Sequence, residues 1–186
     1  MIQLSVENIN RTSPYQVEAI DALSVSFVTD NGICYDVGFY PDTFLSMLEG
    51  AYHFYISNAN HQHAPNDPKI LETVTAVIEE FFRNNPLVML YICDPRDNRQ
   101  AARNRLYIFW FENYIFNKNY RFYSESVEFE SVNYYAGLIM RKDNPYYDEV
   151  VKTFHKNVAN LPEQMVGNKV RLSLFPQKPV TVLKSC

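Results

Sequence analysis

DPKILETVTAVIEEFFRNNPLVMLYIC, residues 67 to 93, is the stretch on which the reading of the fold turns. Asp67 offers a side-chain oxygen to free amide hydrogens, and Pro68 has φ already set for a first helical turn. Ile70, Leu71, Val74, Val77, Ile78, Phe81 and Phe82 return at steps of one, three and four, which gathers them on one helix face. Lys69, Glu72, Thr75, Glu79 and Arg83 are left outside. Asn84-Asn85-Pro86 stops the helix. Leu87 to Cys93 is then apolar without alternation, as suits a central strand covered on both faces.

Upstream, Leu23, Val25 and Phe27 alternate with Ser24 and Ser26, and Asn31-Gly32 is the pair a tight hairpin turn requires. Ile33, Tyr35, Val37 and Phe39 line one side of the return strand, which Pro41-Asp42 ends. A third strand is predicted over 51 to 57, with Tyr52, Phe54 and Ile56 alternating with His53 and Tyr55. Residues 58 to 66 form a polar loop. Strand, loop, helix and buried strand in this order make a crossover unit, so the strands at 51–57 and 87–93 are expected to run parallel. Residues 1 to 22 carry no clear period and read as an arm or short strand around Tyr15 to Val17.

Downstream, a polar turn from Asp94 to Asn98 leads into residues 99 to 116, where Leu106 to Phe111 is continuously apolar. Helix is chosen because Gln100-Ala101-Ala102-Arg103 favours it and Ala102, Leu106, Phe109, Trp110 and Asn113 share a face, read as core. Tyr120 to Phe129 and Tyr134 to Met140 form an antiparallel pair, followed by a turn at Asp143-Asn144-Pro145 and a helix from Tyr146 to about Val158. Beyond Asn160 a tail with Lys169, Arg171, Lys178 and Lys184 can lay one strand, Val170 to Phe175, on the body. The expected fold class is α/β (α+β): a mixed, mostly antiparallel sheet with one parallel crossover, in one domain over 1–160, with a tail over 161–186.

Composition narrows the function classes. At 186 residues and 47% hydrophobic, the chain is long and apolar enough for a real core, and 14 Tyr with 13 Phe suggest cross-strand aromatic pairs. A net charge of −4 argues against a general nucleic-acid binder, which needs a basic surface. Arg103, Arg105, Lys118 and Arg121 interleave with Tyr107, Trp110 and Tyr114, but the aromatic spacing reads as core rather than as a stacking platform. Cys34, Cys93 and Cys186 are an odd set at wide spacing, read as reduced thiols and therefore as a sign of the cytoplasm. The N-terminus lacks a basic then apolar segment, and no apolar run approaches the ~20 residues that span a bilayer, so no membrane partner is expected.

From Leu23 to Met140 the order of elements resembles the later part of the GNAT acyltransferase fold. That resemblance implies an acyl-CoA between the strands flanking the crossover helix, with its pyrophosphate at the helix N-terminus. The family's glycine-containing phosphate loop would fall at Asn60 to Pro68, which holds no glycine, and Asp67 there would repel a pyrophosphate. Asn98-Arg99-Gln100-Ala101 echoes the family's Asn-x-x-Ala, but Leu106-Tyr107 arrives two residues late for the tyrosine that acts as general acid. The wording around Asp94-Pro95-Arg96-Asp97 and the Arg-Leu-Tyr-x-x-Trp-Phe stretch also resembles a group of uncharacterised domains from Bacteroidetes, which carries no activity with it.

The best candidate ligand site is the mouth after the buried strand: Asp94, Arg96, Asp97, Asn98, Arg99 and Arg103, where arginines at a helix start could hold a carboxylate or phosphate. The bland reading is a charged loop satisfied by its own Asp–Arg pairs. His61, His63 and Asp67 could ligate a metal but lack the further ligands that specify a site, so no metal is expected, and His53 and His155 stand isolated. Cys93 reads as a core thiol rather than a nucleophile. These residues favour a non-catalytic module that binds a protein partner or itself, without cofactor. The alternative is an N-acetyltransferase using acetyl-CoA, with Asn98 and Tyr107 in its site.

Overall fold

A computed structural model describes residues 2–42, 50–62, 65–83, 86–93, 95, 97–115 and 119–160. The expected tail strand and part of the candidate mouth therefore lie outside the described residues. In chain order the elements are α1 (Val6–Asn10), β1 (Val17–Ala19), β2 (Ser24–Val28), β3 (Cys34–Pro41), β4 (Ala51–Asn58), α2 (Pro68–Phe82), β5 (Val88–Cys93), α3 (Gln100–Trp110), β6 (Tyr120–Phe129), β7 (Val132–Arg141) and α4 (Tyr147–Ala159). A π-helical turn, Phe111–Ile115, continues α3. The strands form one sheet in the order β1-β2-β3-β4-β5-β7-β6. Among the described residues, β4 and β5 run parallel, joining Ala51, Tyr52 and His53 to Val88, Met89 and Leu90. The crossover expected from the sequence is thus present.

The described residues divide into two compact units, one within Met1–Tyr40 and Phe54–Asn85, the other within Pro41–His53 and the residues from Pro86 to Asn160. In the first, β2 and β3 pair antiparallel around Gly32, whose φ of 72° is the left-handed value the hairpin turn demands. Phe27 lies directly across from Tyr35, their rings stacked 5.5 Å apart. Asp67 caps α2 by accepting from the Lys69 amide at 3.0 Å, and it also accepts from the Tyr15 hydroxyl at 2.6 Å. The predicted helix face is inside: Phe81 stacks on Phe39 at 3.9 Å and both Phe81 and Phe82 are sealed from solvent. Each such ring contributes about 1.5–3 kcal/mol by burial.

Two differences from expectation fall in this unit. The short strand expected around Tyr15 to Val17 is β1, but residues 6–10 form an additional helix, in which Ser5 accepts from the Asn8 amide while Glu80 of α2 takes the Ser5 amide and the Asn8 side chain at 3.3 and 3.2 Å. That anchor lies more than seventy residues away and leaves no local period. Cys34 is disulfide-bonded, whereas Cys93 is free and buried, so the reading of reduced thiols fails at Cys34 and holds at Cys93, while Cys186 lies outside the described residues.

In the second unit, β5, β7 and β6 form an antiparallel ladder, with Leu90 opposite Leu138 and Tyr123 opposite Leu138 on the other side. Val88, Leu90, Ala136, Leu138 and Met140 pack with Val150, Phe154 and Val158, so α4 covers this face of the ladder. Strand alternation sends Met89, Tyr91, Cys93 and Phe122 to the opposite face, where α3 lies. Tyr91 meets Tyr107 edge-on at 4.7 Å, and Phe122 stacks on Phe111 at 4.7 Å.

His53 is not isolated. Its Nε2 lies 2.6 Å from Asp42 Oδ1, with side-chain exposures of 5% and 1%. Strand β4 therefore holds His53 inside. A buried imidazole and carboxylate in contact satisfy each other where either alone would be costly.

Candidate functional site

In the turn just before α3, Asn98 adopts φ 57°, a left-handed value that asparagine tolerates better than most residues. Asp97 organises this turn. Its carboxylate accepts from the Arg99 amide at 3.1 Å and from Arg103 Nη1 at 2.9 Å, and its second oxygen takes Arg103 Nη2. The Arg103 guanidinium holds the Asp97 carboxyl below its ordinary value. Of the candidate ligand set, Asp97, Asn98, Arg99 and Arg103 are brought together, while Asp94 and Arg96 lie outside the described residues. An anion approaching the start of α3 meets the Asp97 carboxylate already seated on the amide it would use.

Under α3 lies a buried polar network. The Tyr91 hydroxyl donates to Asn104 Oδ1 at 2.8 Å, and Ser124 Oγ reaches the same oxygen at 3.1 Å. Burial raises the Tyr91 and Tyr107 hydroxyls well above their ordinary value and pushes the Cys93 thiol up to about 12. Asn104 is itself buried. This polar floor fixes the rotation of α3, and it corrects the reading of which helix face is core. Asn104, not the Leu106–Phe109 stripe, points inward, and Leu106 and Phe109 stand 43% and 53% exposed. Ala102 and Asn113 are exposed with them.

The opposite face carries a second cluster that no local pattern announces. Glu125 of β6 pairs with His155 of α4, so His155 is not isolated. Two residues along, the Tyr123 and Tyr147 hydroxyls lie 2.5 Å apart, and the Tyr123 ring meets His155 edge-on at 5.7 Å. The bond to Tyr147, together with burial, pushes the Tyr123 hydroxyl up to about 12. The available signal was parity: Tyr123 and Glu125 share a strand face, and Tyr147 and His155 lie two turns apart on one helix. Near the start of β6 an open cavity of about 400 Å³ is lined by Asn119, Tyr120, Arg141, Lys142 and Asp143. Asp143 holds Arg141 there by two bonds of 2.8 and 2.5 Å.

Among the described residues, no group of three or more His, Cys, Asp or Glu side chains is placed to hold a metal ion. Asp67, one member of the candidate metal set, is engaged by the α2 cap and Tyr15. Among the same residues no helix is long and apolar enough to cross a membrane.

No curated protein and no solved structure matches the chain. A family model described as a family of unknown function (DUF6169) matches residues 66–156, the stretch from the cap of α2 to the last turns of α4 that holds the α3 network and the β6–α4 cluster.

Proposed function

We propose that this chain is a non-catalytic interaction module that uses the outer face of α3 to bind a protein partner. The observation that carries this is the rotation of α3: Leu106 and Phe109 face solvent while Asn104 faces the sheet. Adjacent large apolar side chains left on an exposed helix face form a patch suited to a protein partner. Two further features favour a module over an acetyl-CoA enzyme. The α2 start is capped by Asp67, a carboxylate where a pyrophosphate would need bare amides. The Tyr107 hydroxyl is buried and its proton tightly held, which ill suits a general acid working near neutral pH.

Thermal shift with acetyl-CoA separates the readings. A module shows no stabilisation at millimolar ligand, whereas an acetyltransferase is stabilised as ligand binding requires. The double variant Leu106→Asp/Phe109→Asp should keep the wild-type melting temperature, because both side chains are solvent-facing. A fall of several degrees would mean that they are packed, and the proposed surface would be lost with them.

A further inference from the structure

The sheet ends on β6, and that edge is built unlike the other. At the far side β1 is three residues long, the usual way of blunting a strand edge. β6 runs ten residues, Tyr120–Phe129, in one-to-one register with β7, and contains no Pro, Gly, Lys or bulge. Among the described residues no strand pairs with its outer side.

The direction of its free amides follows from the hairpin. Glu130 and Ser131, at φ 49° and 62°, form a two-residue turn, so Phe129 and Val132 are its hydrogen-bonded closing pair. At the opposite end the Lys142 amide donates to the Asn119 carbonyl at 2.9 Å, in the same phase. Odd-numbered residues of β6 therefore bond inward to β7, and Phe122, Ser124, Ser126 and Glu128 turn N–H and C=O outward.

We propose that β6 pairs antiparallel with β6 of a second copy about a two-fold axis through Tyr123. This rests on the reading of the chain as an interaction module and uses a different surface from α3. A two-fold normal to the sheet keeps each face continuous, so only residues of like parity can stand opposite one another. Centred on Tyr123, that rule sets Arg121 opposite Glu125 of the second copy and Glu125 opposite its Arg121, while Phe122 and Ser124 exchange backbone bonds. Moving the axis one residue, to Ser124, leaves Arg121 opposite Val127. Moving it to Glu125 sets two carboxylates face to face. Charge thus selects one register. Arg121 is exposed, and Glu125 gives Oε1 to His155 and keeps Oε2 for a guanidinium.

The test uses the full chain in two single variants, with mass measured by light scattering during size exclusion. Wild type is expected to be dimeric. Arg121→Glu creates acid-on-acid pairs and Glu125→Arg base-on-base pairs, so each alone should weaken the dimer about tenfold to a hundredfold. Mixing the two variants should restore it, because in a mixed pair the two carboxylates of one variant stand opposite the two guanidiniums of the other across the axis. Amide exchange at Phe122 and Ser124 should be slow in the dimer and fast in each single variant, while circular dichroism stays that of wild type. A monomeric wild type, variants that remain dimeric, or a mixture that stays monomeric would overturn the pairing. None of these results bears on the α3 surface, whose failure is read separately from acetyl-CoA and the Leu106/Phe109 variant.

Discussion

The Tyr91 ring lies across Gly137, its directly opposed partner on β7, in the space a side chain there would occupy. A Cβ on residue 137 would overlap Tyr91 Cε1 and Cζ. The bare backbone lets the ring lie flat and carry its hydroxyl to Asn104. Gly137→Ala should therefore displace the ring and break that bond, with a loss of about 2–4 kcal/mol in urea denaturation. In the Tyr91→Ala background the same substitution should cost much less, because the obstruction is gone. Equal costs in both backgrounds would show that the ring does not depend on the glycine.

His53 and Asp42 make the second test. Removing one member breaks a buried polar contact, so His53→Ala or Asp42→Ala should each cost about 1–3 kcal/mol in urea denaturation. The double variant His53→Leu/Asp42→Leu should recover part of that loss, since both polar groups of the contact are then replaced by apolar ones. Single variants within about 0.5 kcal/mol of wild type would show that the contact carries no weight.

Asp97 gives a pH dependence. Arg103 depresses its carboxyl, so the pair stabilises the fold above the ordinary carboxylate value of 3.8 and this contribution disappears as the pH falls through the lower folded value. Both side chains are partly exposed, which keeps the effect under ~1 kcal/mol. Asp97→Asn should flatten the acid limb of a stability–pH curve by that amount and leave the rest of its shape alone. An unchanged acid limb would mean that the pair is neutral.

Cys93 should resist labelling. With its thiol pushed up to about 12 by burial, almost none is thiolate near neutral pH. Iodoacetamide should modify it roughly a hundredfold more slowly in the native protein than in denaturant, as followed by mass spectrometry. Fast native labelling would remove it from the core and reopen its reading as a nucleophile.

Helix α2, the hairpin at Gly32, the buried strand β5 and the parallel crossover were all readable from residues alone. Each depends on neighbours within a few positions: Asp67-Pro68 opens a helix, Asn31-Gly32 turns a chain, and an unbroken apolar run needs cover on both sides. The rotation of α3 was not readable. Leu106 and Phe109 have core spacing, yet Asn104 faces inward, where it accepts from a Tyr91 hydroxyl whose ring lies over Gly137, forty-six positions further along the chain. The His53–Asp42 and His155–Glu125 pairs were equally invisible, since a lone imidazole gives no sign of which carboxylate the strand register will deliver to it. Amino-acid order determined the local elements and the crossover that orders them. Which polar groups meet, and which apolar ones stay in solvent, was decided by contacts that form only once the strands have found their register.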